Sequence, residues 1–363
     1  MAMASFSPNK WVNLTAGSSV CANRVEVQWP PQVTLGVGLL KITFKGSSNM
    51  MKQNMKNIRI FSKLVVVILL IASNSFASPQ LDVKALSALP ENEIDIGIAA
   101  LVLAKEVFPE LDVQEYSAKI NTITSAVKTL TRGSTDPDYR VRALNTHLYK
   151  DFGMKYDLND PYVKNLQNRY INGILDTKKG SCVSMPLLYL SVAQRLGYPV
   201  YPVSAPQHIF LRYVDPKLKL QNIEATGGGG NSPDEEYIAS LQISFGAVAQ
   251  GTYLKTLTYR EYLGLLIEQN GIYWGRNNDI ERAIEYLEIA IKLNPRAADS
   301  IKSLGVAYRI QSKKVQSQLS QDYEKKANDC FAKAEQLGAT DLELNNYIET
   351  QRQAQEKFRN NPK

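Results

Sequence analysis

The chain has 363 residues, 44% of them hydrophobic, with 42 Lys and Arg against 35 Asp and Glu. That length has room for two domains and a sizeable core. Eight of the basic residues and a single acid, Glu26, lie before residue 78, so the remainder holds 34 of each sign and is neutral; a protein driven onto nucleic acid or anionic lipid by its overall field is excluded.

The basic excess has a local origin. Lys52, Lys56, Arg59 and Lys63 precede the nine-residue apolar run Leu64 to Ala72 (LVVVILLIA), and S-N-S-F-A-S-P follows with small residues at Ser75 and Ala77. This is the layout of a secretory signal peptide, read here as residues 51–77 with cleavage after Ala77. The run is too short to span a bilayer, which takes about 20 apolar residues, so no membrane span is expected in the mature chain. The product is expected to be exported, to a periplasm or the extracellular space. Because the signal begins at Met51 or Met55, residues 1–50 read as a non-native upstream extension. The competing reading is a small strand-rich leader, since V-T-L-G-V-G-L-L-K-I-T-F pairs naturally as β.

From Glu91 to Tyr149 the pattern is helical. I-D-I-G-I-A-A-L-V-L-A-K-E-V-F is an apolar helix ending before Pro109. Val113 to Leu130 places Ile120, Ile123, Val127 and Leu130 on one face. T-R-G-S-T-D-P-D is a loop, and Asp136-Pro137 opens a third helix with Val141, Leu144 and Leu148 inward. His147 lies beside that face and reads as structural. A turn-rich stretch (D-F-G-M-K-Y-D-L-N-D-P) leads to a further helix over Tyr162 to Thr177. K-K-G-S then delivers Cys182 to the start of an apolar helix that stops at Gly197, a residue suited to a helix C-terminus.

Next come a short strand (P-V-Y-P-V-S-A), Pro206-Gln207, an aromatic strand over His208 to Tyr213, a D-P-K-L turn and a return strand over Gln221 to Thr226. Gly227 to Gly230 lack a following G-K-[ST] and read as a flexible connector rather than a phosphate loop. An acidic helix start falls in Ser232 to Ser240, and Phe245 to Leu257 fits neither pattern. From Thr258 helices return. R-E-Y-L through K-L-N-P fits one tetratricopeptide unit, with a turn at Gly275 to Asn278 and Ala283, Tyr286 and Ala290 on its packing face. A second unit spans Ala297 to Leu337 with a turn lengthened by S-K-K-V-Q-S-Q-L-S-Q-D. Asp341 to Phe358 reads as a polar capping helix.

Three cysteines occur, Cys21, Cys182 and Cys330, with no metal-ligand spacing among them, and neither a metal nor another cofactor is expected. Cys330 reads as a small residue packed in a repeat helix, not as a disulfide partner of Cys182. Cys182 is different. A thiol attacks carbonyls as the thiolate, and a helix N-terminus and a neighbouring imidazolium both favour that anion. His208, at the start of a strand able to pass the cysteine helix, is the better imidazole. The ring needs an orienting acid on its other nitrogen. Asp215, seven residues along the same strand, is about 23 Å away at 3.3 Å per residue. Glu224, past the turn and roughly opposite His208, can reach, and Asn222 on the same face is the fallback. The Cys182 backbone N–H is the expected oxyanion donor, with Asn168 or Tyr170 as a second.

The sequence G-S-C-V-S-M-P-L-L-Y-L-S-V-A-Q-R-L-G-Y-P-V-Y, then Q-H-I-F-L-R-Y, then N-I-E-A-T resembles the bacterial transglutaminase-like proteins with a papain-type cysteine core, over roughly Ile94 to Thr226. The resemblance implies Cys182 as nucleophile, His208 as general base and acid, Glu224 as orienting acid, and Thr226 as the threonine two positions after the acid. Two departures stand out: the family's usual D-P-T is E-A-T here, and Pro186 falls in the first turn after the nucleophile, where it cannot donate to the Cys182 carbonyl.

The expected fold is α+β: a helical N-terminal half on a small antiparallel sheet with a cysteine-bearing helix over 78–257, followed by tetratricopeptide-like helical repeats over 258–363. The expected function is an exported cysteine amidohydrolase or acyltransferase working through a Cys182 thioester on a peptide or protein substrate. The repeats would bind a protein partner. The alternative is a catalytically inactive scaffold of the same architecture.

Overall fold

The computed structural model describes residues 33–37, 40–44 and 81–339. The first two segments are strands β1 (Val33–Val37) and β2 (Leu40–Phe44), paired antiparallel from Val33 opposite Phe44 to Val37 opposite Leu40. The β pairing weighed for the leader is thus present. The signal peptide expected over 51–77 and the polar helix expected over 341–358 lie outside the described residues.

Residues 81–339 belong to one compact unit. It opens with helices α1 (Val83–Ala88), α2 (Ile96–Lys105), α3 (Val113–Thr131) and α4 (Pro137–Asn145). An aspartate sets each start: Asp82, Asp95, Asp112 and Asp136 accept from backbone N–H groups of the first turn that have no intrahelical acceptor. After α4 the chain widens into a π-helical turn over Thr146–Asp151. His147 sits on it with its Nδ1 3.1 Å from Asp151 Oδ2, an i,i+4 contact at the surface.

The helix expected over Tyr162 to Thr177 is shorter in the structure: only α5 (Ile171–Thr177) forms, after a 3₁₀ turn at Leu166–Asn168. The Asp160 carboxylate is the physical reason. It accepts from the Lys164 and Asn165 N–H groups at 2.7 and 3.0 Å and from Asn168 Nδ2 at 2.8 Å, which gives this backbone a non-helical alternative.

Helix α6 (Ser184–Arg195) is the centre of the fold, with every residue from Ser184 to Ala193 buried. A helix apolar on all sides belongs inside a core. It lies against α2, α3, α5 and a three-stranded sheet made of β5 (Val200–Ala205), β6 (His208–Tyr213) and β7 (Asn222–Ile223), in the order β5-β6-β7 and antiparallel throughout. A two-strand parallel pair, β3 (Lys155–Tyr156) with β4 (Lys179–Gly180), precedes α6.

The four glycines are not a flexible connector. Gly228 and Gly229 have φ of 72° and 74°, and a Cβ on Gly229 would stand 2.1 Å from Asn145 Oδ1. Asn145 Nδ2 donates to the Gly229 carbonyl at 2.9 Å, and Glu224 N–H donates to Gly230 at 2.7 Å. Glycine is required because the turn combines left-handed backbone with close packing.

Two short helices, α7 (Asp234–Ser240) and α8 (Phe245–Ala249), lead to the four long ones: α9 (Tyr259–Arg276), α10 (Ile280–Leu293), α11 (Ala298–Lys314) and α12 (Ser317–Gln336). Thr258 and Glu261 form a capping box at the start of α9. The second pair has no lengthened turn. The extra residues extend both helices, leaving only Val315 and Gln316 between them. The change of pattern at residue 258 is not a gap in packing either. Tyr262, Leu263, Leu266 and Ile267 of α9 share one buried cluster with Leu188 and Val192 of α6. The architecture is therefore α+β: a small sheet and a central buried helix followed by helical repeats. Among the described residues, no helix is long and apolar enough to cross a membrane.

Candidate active site

Cys182 sits in the turn just before α6, whose first residue is Ser184. The turn is wired to its surroundings through Asn168. Ser181 Oγ and Ser184 Oγ both donate to the Asn168 carbonyl at 2.7 Å, and the Ser181 and Val183 N–H groups donate to Ser184 Oγ and Ser181 Oγ. Gly180 makes this possible, since a Cβ there would stand 2.6 Å from Ser184 Oγ and 2.7 Å from Ile174 Cδ1. Pro186 proves harmless. It is the third residue of α6, where an N–H has no acceptor within the helix proper, and the flanking bonds Met185 N–H to Ser181 O (3.1 Å) and Leu187 N–H to Val183 O (3.3 Å) are in place.

His208 is the first residue of β6, paired with Ala205 across the Pro206-Gln207 turn. Its Nε2 lies 2.7 Å from Glu224 Oε2. The ring's other nitrogen, Nδ1, is the one not engaged by Glu224, and Cys182 lies close enough to the imidazole to help raise its pKa. Cys182 Sγ also lies 3.9 Å from the Gln207 carbonyl oxygen. All three side chains are buried: relative exposures are 5% for Cys182, 3% for His208 and 7% for Glu224.

Glu224 reaches His208 by leaving the sheet. The β6–β7 ladder pairs Leu211 with Ile223, and the chain then turns into a 3₁₀ segment at Ala225–Gly227 instead of continuing opposite His208. Glu224 Oε1 accepts from the Thr226 N–H at 2.9 Å and from Thr226 Oγ1 at 2.6 Å. Its Oε2 accepts from Tyr237 OH at 2.8 Å as well as facing the imidazole. Tyr149 of the π-helical turn braces the next residue, donating to the Ala225 carbonyl at 2.6 Å. The shift from the usual Asp to Glu is thereby accommodated by backbone that curls back around the longer side chain.

The charges follow from these contacts. Burial alone would drive His208 towards neutrality, but the charge of the Glu224 carboxylate, the hydrogen bond it accepts from the ring, and the nearby Cys182 outweigh it and raise its pKa to about 10. Burial alone would raise Glu224, but His208⁺ and the donors on His208, Thr226 and Tyr237 lower it to about 2. The pair is an imidazolium–carboxylate at neutral pH, and its protons belong to the pair rather than to either residue.

The alternatives weighed from the sequence are committed elsewhere. Asn222 accepts from Arg212 Nε at 2.8 Å and donates to Ser232 O and Asp234 Oδ1. Asp215 Oδ1 caps the Lys217 N–H in its turn. Neither proposed side-chain oxyanion donor is available: Asn168 Nδ2 is held by Asp157 and Asp160, and Tyr170 OH donates to Asn270.

Three residues near the site had no signal in the sequence. Tyr237 stacks on Phe210 at 4.1 Å and 6° while its hydroxyl holds Glu224. Gln207 lies beside the thiol with φ of 54°. Tyr262, from α9, is buried, and its hydroxyl has no hydrogen-bond partner among the described residues. Burial, and after it the Cys182 sulfur, raise the Tyr262 pKa and keep that hydroxyl neutral. Cys182 is a buried thiol and Cys330 a half-buried one on α12. Among the described residues no group of three or more His, Cys, Asp or Glu is placed to hold a metal ion.

Residues 114–267, the segment carrying Cys182, His208 and Glu224, match the family model described as the transglutaminase-like superfamily. Among curated proteins, a UPF0162 protein of Xylella fastidiosa (strain 9a5c) is 22% identical over 242 residues, covering 62% of this chain and 81% of that protein. F-box only protein 21 of Mus musculus is 41% identical over 71 residues, which are 20% of this chain and 11% of that protein. The photosystem I assembly protein Ycf3 of Rippkaea orientalis is 29% identical over 133 residues, 33% of this chain and 75% of that protein.

Proposed function

We propose that this protein is an exported cysteine amidohydrolase or acyltransferase that works on peptide or isopeptide bonds, with its helical repeats engaging a protein partner. One observation carries the reading: a buried imidazole clamped at Nε2 by Glu224 at 2.7 Å, with Cys182 close enough to act on its charge. Nothing in a structural role requires a carboxylate with three further donors behind a histidine that faces a cysteine. The basic, apolar and small-residue order of residues 51–77 supports export, and the likeness to Ycf3, an assembly protein by its name, supports partner binding by the repeats.

In this mechanism Cys182 Sγ adds to the substrate carbonyl carbon, and the C–N bond breaks as His208 Nδ1 gives its proton to the departing amine. The acyl group is left as a thioester. Water or a second amine then attacks, His208 takes its proton, the C–S bond breaks, and the thiol is restored with an acid or a new amide released. The neutral Tyr262 hydroxyl supplies an oxyanion donor. Glu224 fixes the ring and its charge.

The competing reading is a binding scaffold, favoured by the 5% exposure of Cys182. Site-resolved alkylation separates the two, with Cys330 in the same sample as reference. Iodoacetamide should label Cys182 rapidly at about pH 6, where an ordinary thiol is protonated, and His208→Ala should remove that reactivity. A wild-type Cys182 that labels at pH 6 no faster than Cys330 overturns the enzymatic reading in favour of the scaffold.

A further inference from the structure

The turn next to the nucleophile is held from an unexpected direction. Pro206-Gln207 joins β5 to β6 as a two-residue loop between the paired Ala205 and His208. Proline first and a positive φ second is the pattern of a type II turn, whose second position ordinarily takes glycine. Here it is glutamine at φ 54°. Type II geometry also splays hairpin strands rather than following their twist. A conformation disfavoured on both counts persists only when its surroundings hold it.

Both polar groups of the Gln207 backbone are engaged. The carbonyl oxygen faces Cys182 Sγ at 3.9 Å, and the N–H donates to the carboxylate of Asp299. Asp299 stands in the first turn of α11, ninety-two positions further along the chain. Its Oδ1 in turn accepts from Tyr253 OH at 3.3 Å. Tyr253 is buried and precedes a segment laid along β5, where Leu254 and Leu257 N–H groups donate to Ser204 O and Pro202 O at 2.8 Å. A carboxylate on a repeat helix is therefore tied to the turn that presents His208 and touches the thiol and, through Tyr253, to the segment laid along β5. The Gln207 side chain itself is exposed, so the tie is made by backbone and not by the identity of that residue.

We infer that Asp299 is a positioning residue for Cys182 and His208, acting through the Pro206-Gln207 turn and linking the repeat helices to the site. The inference rests on the catalytic reading of Cys182. Asp299 touches neither reacting atom; it fixes the backbone that does. Whatever engages α11 thereby acts on the geometry of the thiol and imidazole, because α11 and the turn share one carboxylate.

The test is the site-resolved rate of Cys182 alkylation by iodoacetamide at about pH 6 in the full chain, where displacement of a reacting group by an ångström costs up to about a hundredfold. Asp299→Ala should slow Cys182 by about tenfold or more while Cys330 is unaffected, and Asp299→Asn, which keeps an acceptor, should fall between it and wild type, about threefold slow. Gln207→Gly, which adopts positive φ without strain, should restore much of the rate in the Asp299→Ala background. Ser303→Ala, which removes a 3.2 Å bond to Glu268 from the same helix without touching the turn, should leave the rate at wild type. Rapid wild-type labelling with Asp299→Ala equally rapid overturns the inference and leaves the catalytic reading standing. Slow wild-type labelling removes the catalytic reading itself. If Asp299→Ala does not fold, Asp299→Asn decides: a wild-type rate overturns the inference, and a several-fold loss upholds it. Equal slowing by Ser303→Ala also overturns it, since that marks a general loosening of α11.

Discussion

The sheet-bearing half and the helical half of this protein are stabilised in opposite ways. Around Cys182, a few buried polar groups each have several partners: Glu224 alone accepts from His208, Thr226 twice, and Tyr237. In the four long helices, cohesion is spread mainly over packing residues such as Leu287, Leu304, Ala307 and Ala327; Glu268, held by Ser300 and Ser303, is a buried exception, and much of the remaining charge is on the surface, as in Lys325–Asp329 at 2.7 Å. A buried ionic network fails abruptly when one member is removed, because the others are left desolvated and unpaired. A repeat stack loses stability in proportion to the packing removed.

That contrast gives the largest predicted effect. Glu224→Ala leaves a buried imidazolium and three donors without their acceptor and should cost about 3–5 kcal/mol in urea unfolding at pH 6, together with loss of Cys182 reactivity. Leu287→Ala, in a core site only 2% exposed, should cost about 2–5 kcal/mol. It should leave Cys182 alkylation unchanged at equal folded fraction. A loss of reactivity in Leu287→Ala would mean that the two halves are not energetically distinct.

The pH dependence sharpens the same contrast. His208 has a raised pKa, so its contribution is fully present below its ordinary value of 6.5 and is lost as pH rises towards about 10. Glu224 has a lowered pKa, so its contribution is fully present above its ordinary value of 4.5 and is lost as pH falls towards about 2. The difference in unfolding free energy between wild type and Glu224→Gln should therefore peak between pH 4.5 and 6.5 and shrink on both sides. A difference independent of pH would show that the pair is not ionised in the folded protein.

Smaller effects follow. Tyr262→Phe removes a buried hydroxyl with no partner, so stability should hold or rise. The acyl-transfer rate should fall by about a hundredfold if the hydroxyl serves the oxyanion. Tyr237→Phe, which takes one donor from Glu224, should cost about 1–3 kcal/mol. Lys325→Ala, on the outer face of α12, should leave Tm unchanged within error.

Much of the helical half was legible in the sequence, because the amphipathic period survives at the surface. The helices at Ile280–Leu293 and Ala298–Lys314 fall where the pattern put them, and Ala283, Tyr286 and Ala290 are buried as expected. The pattern did not reveal that extra residues lengthen helices instead of a turn. Composition also misjudged Gly227 to Gly230, since glycine marks both loose chain and tight packing, and only the Asn145 contact tells them apart.

At the site, the sequence by itself pointed to the thiol, the imidazole and the carboxylate that the fold brings together: few histidines and cysteines occur beyond residue 77, and strand rise sets Asp215 too far away. It also placed Cys182 ahead of a buried helix. Only the tertiary structure decided that Nε2 is the His208 nitrogen held by Glu224, how Glu224 curls back onto Thr226, and that Tyr237, Tyr262 and Asp299 converge from α7, α9 and α11. Periodicity and spacing report on neighbours along the chain. Apart from the local Glu224–Thr226 pair, these contacts join residues separated by 13 to 92 positions, and they exist only because burial brings their helices against the sheet.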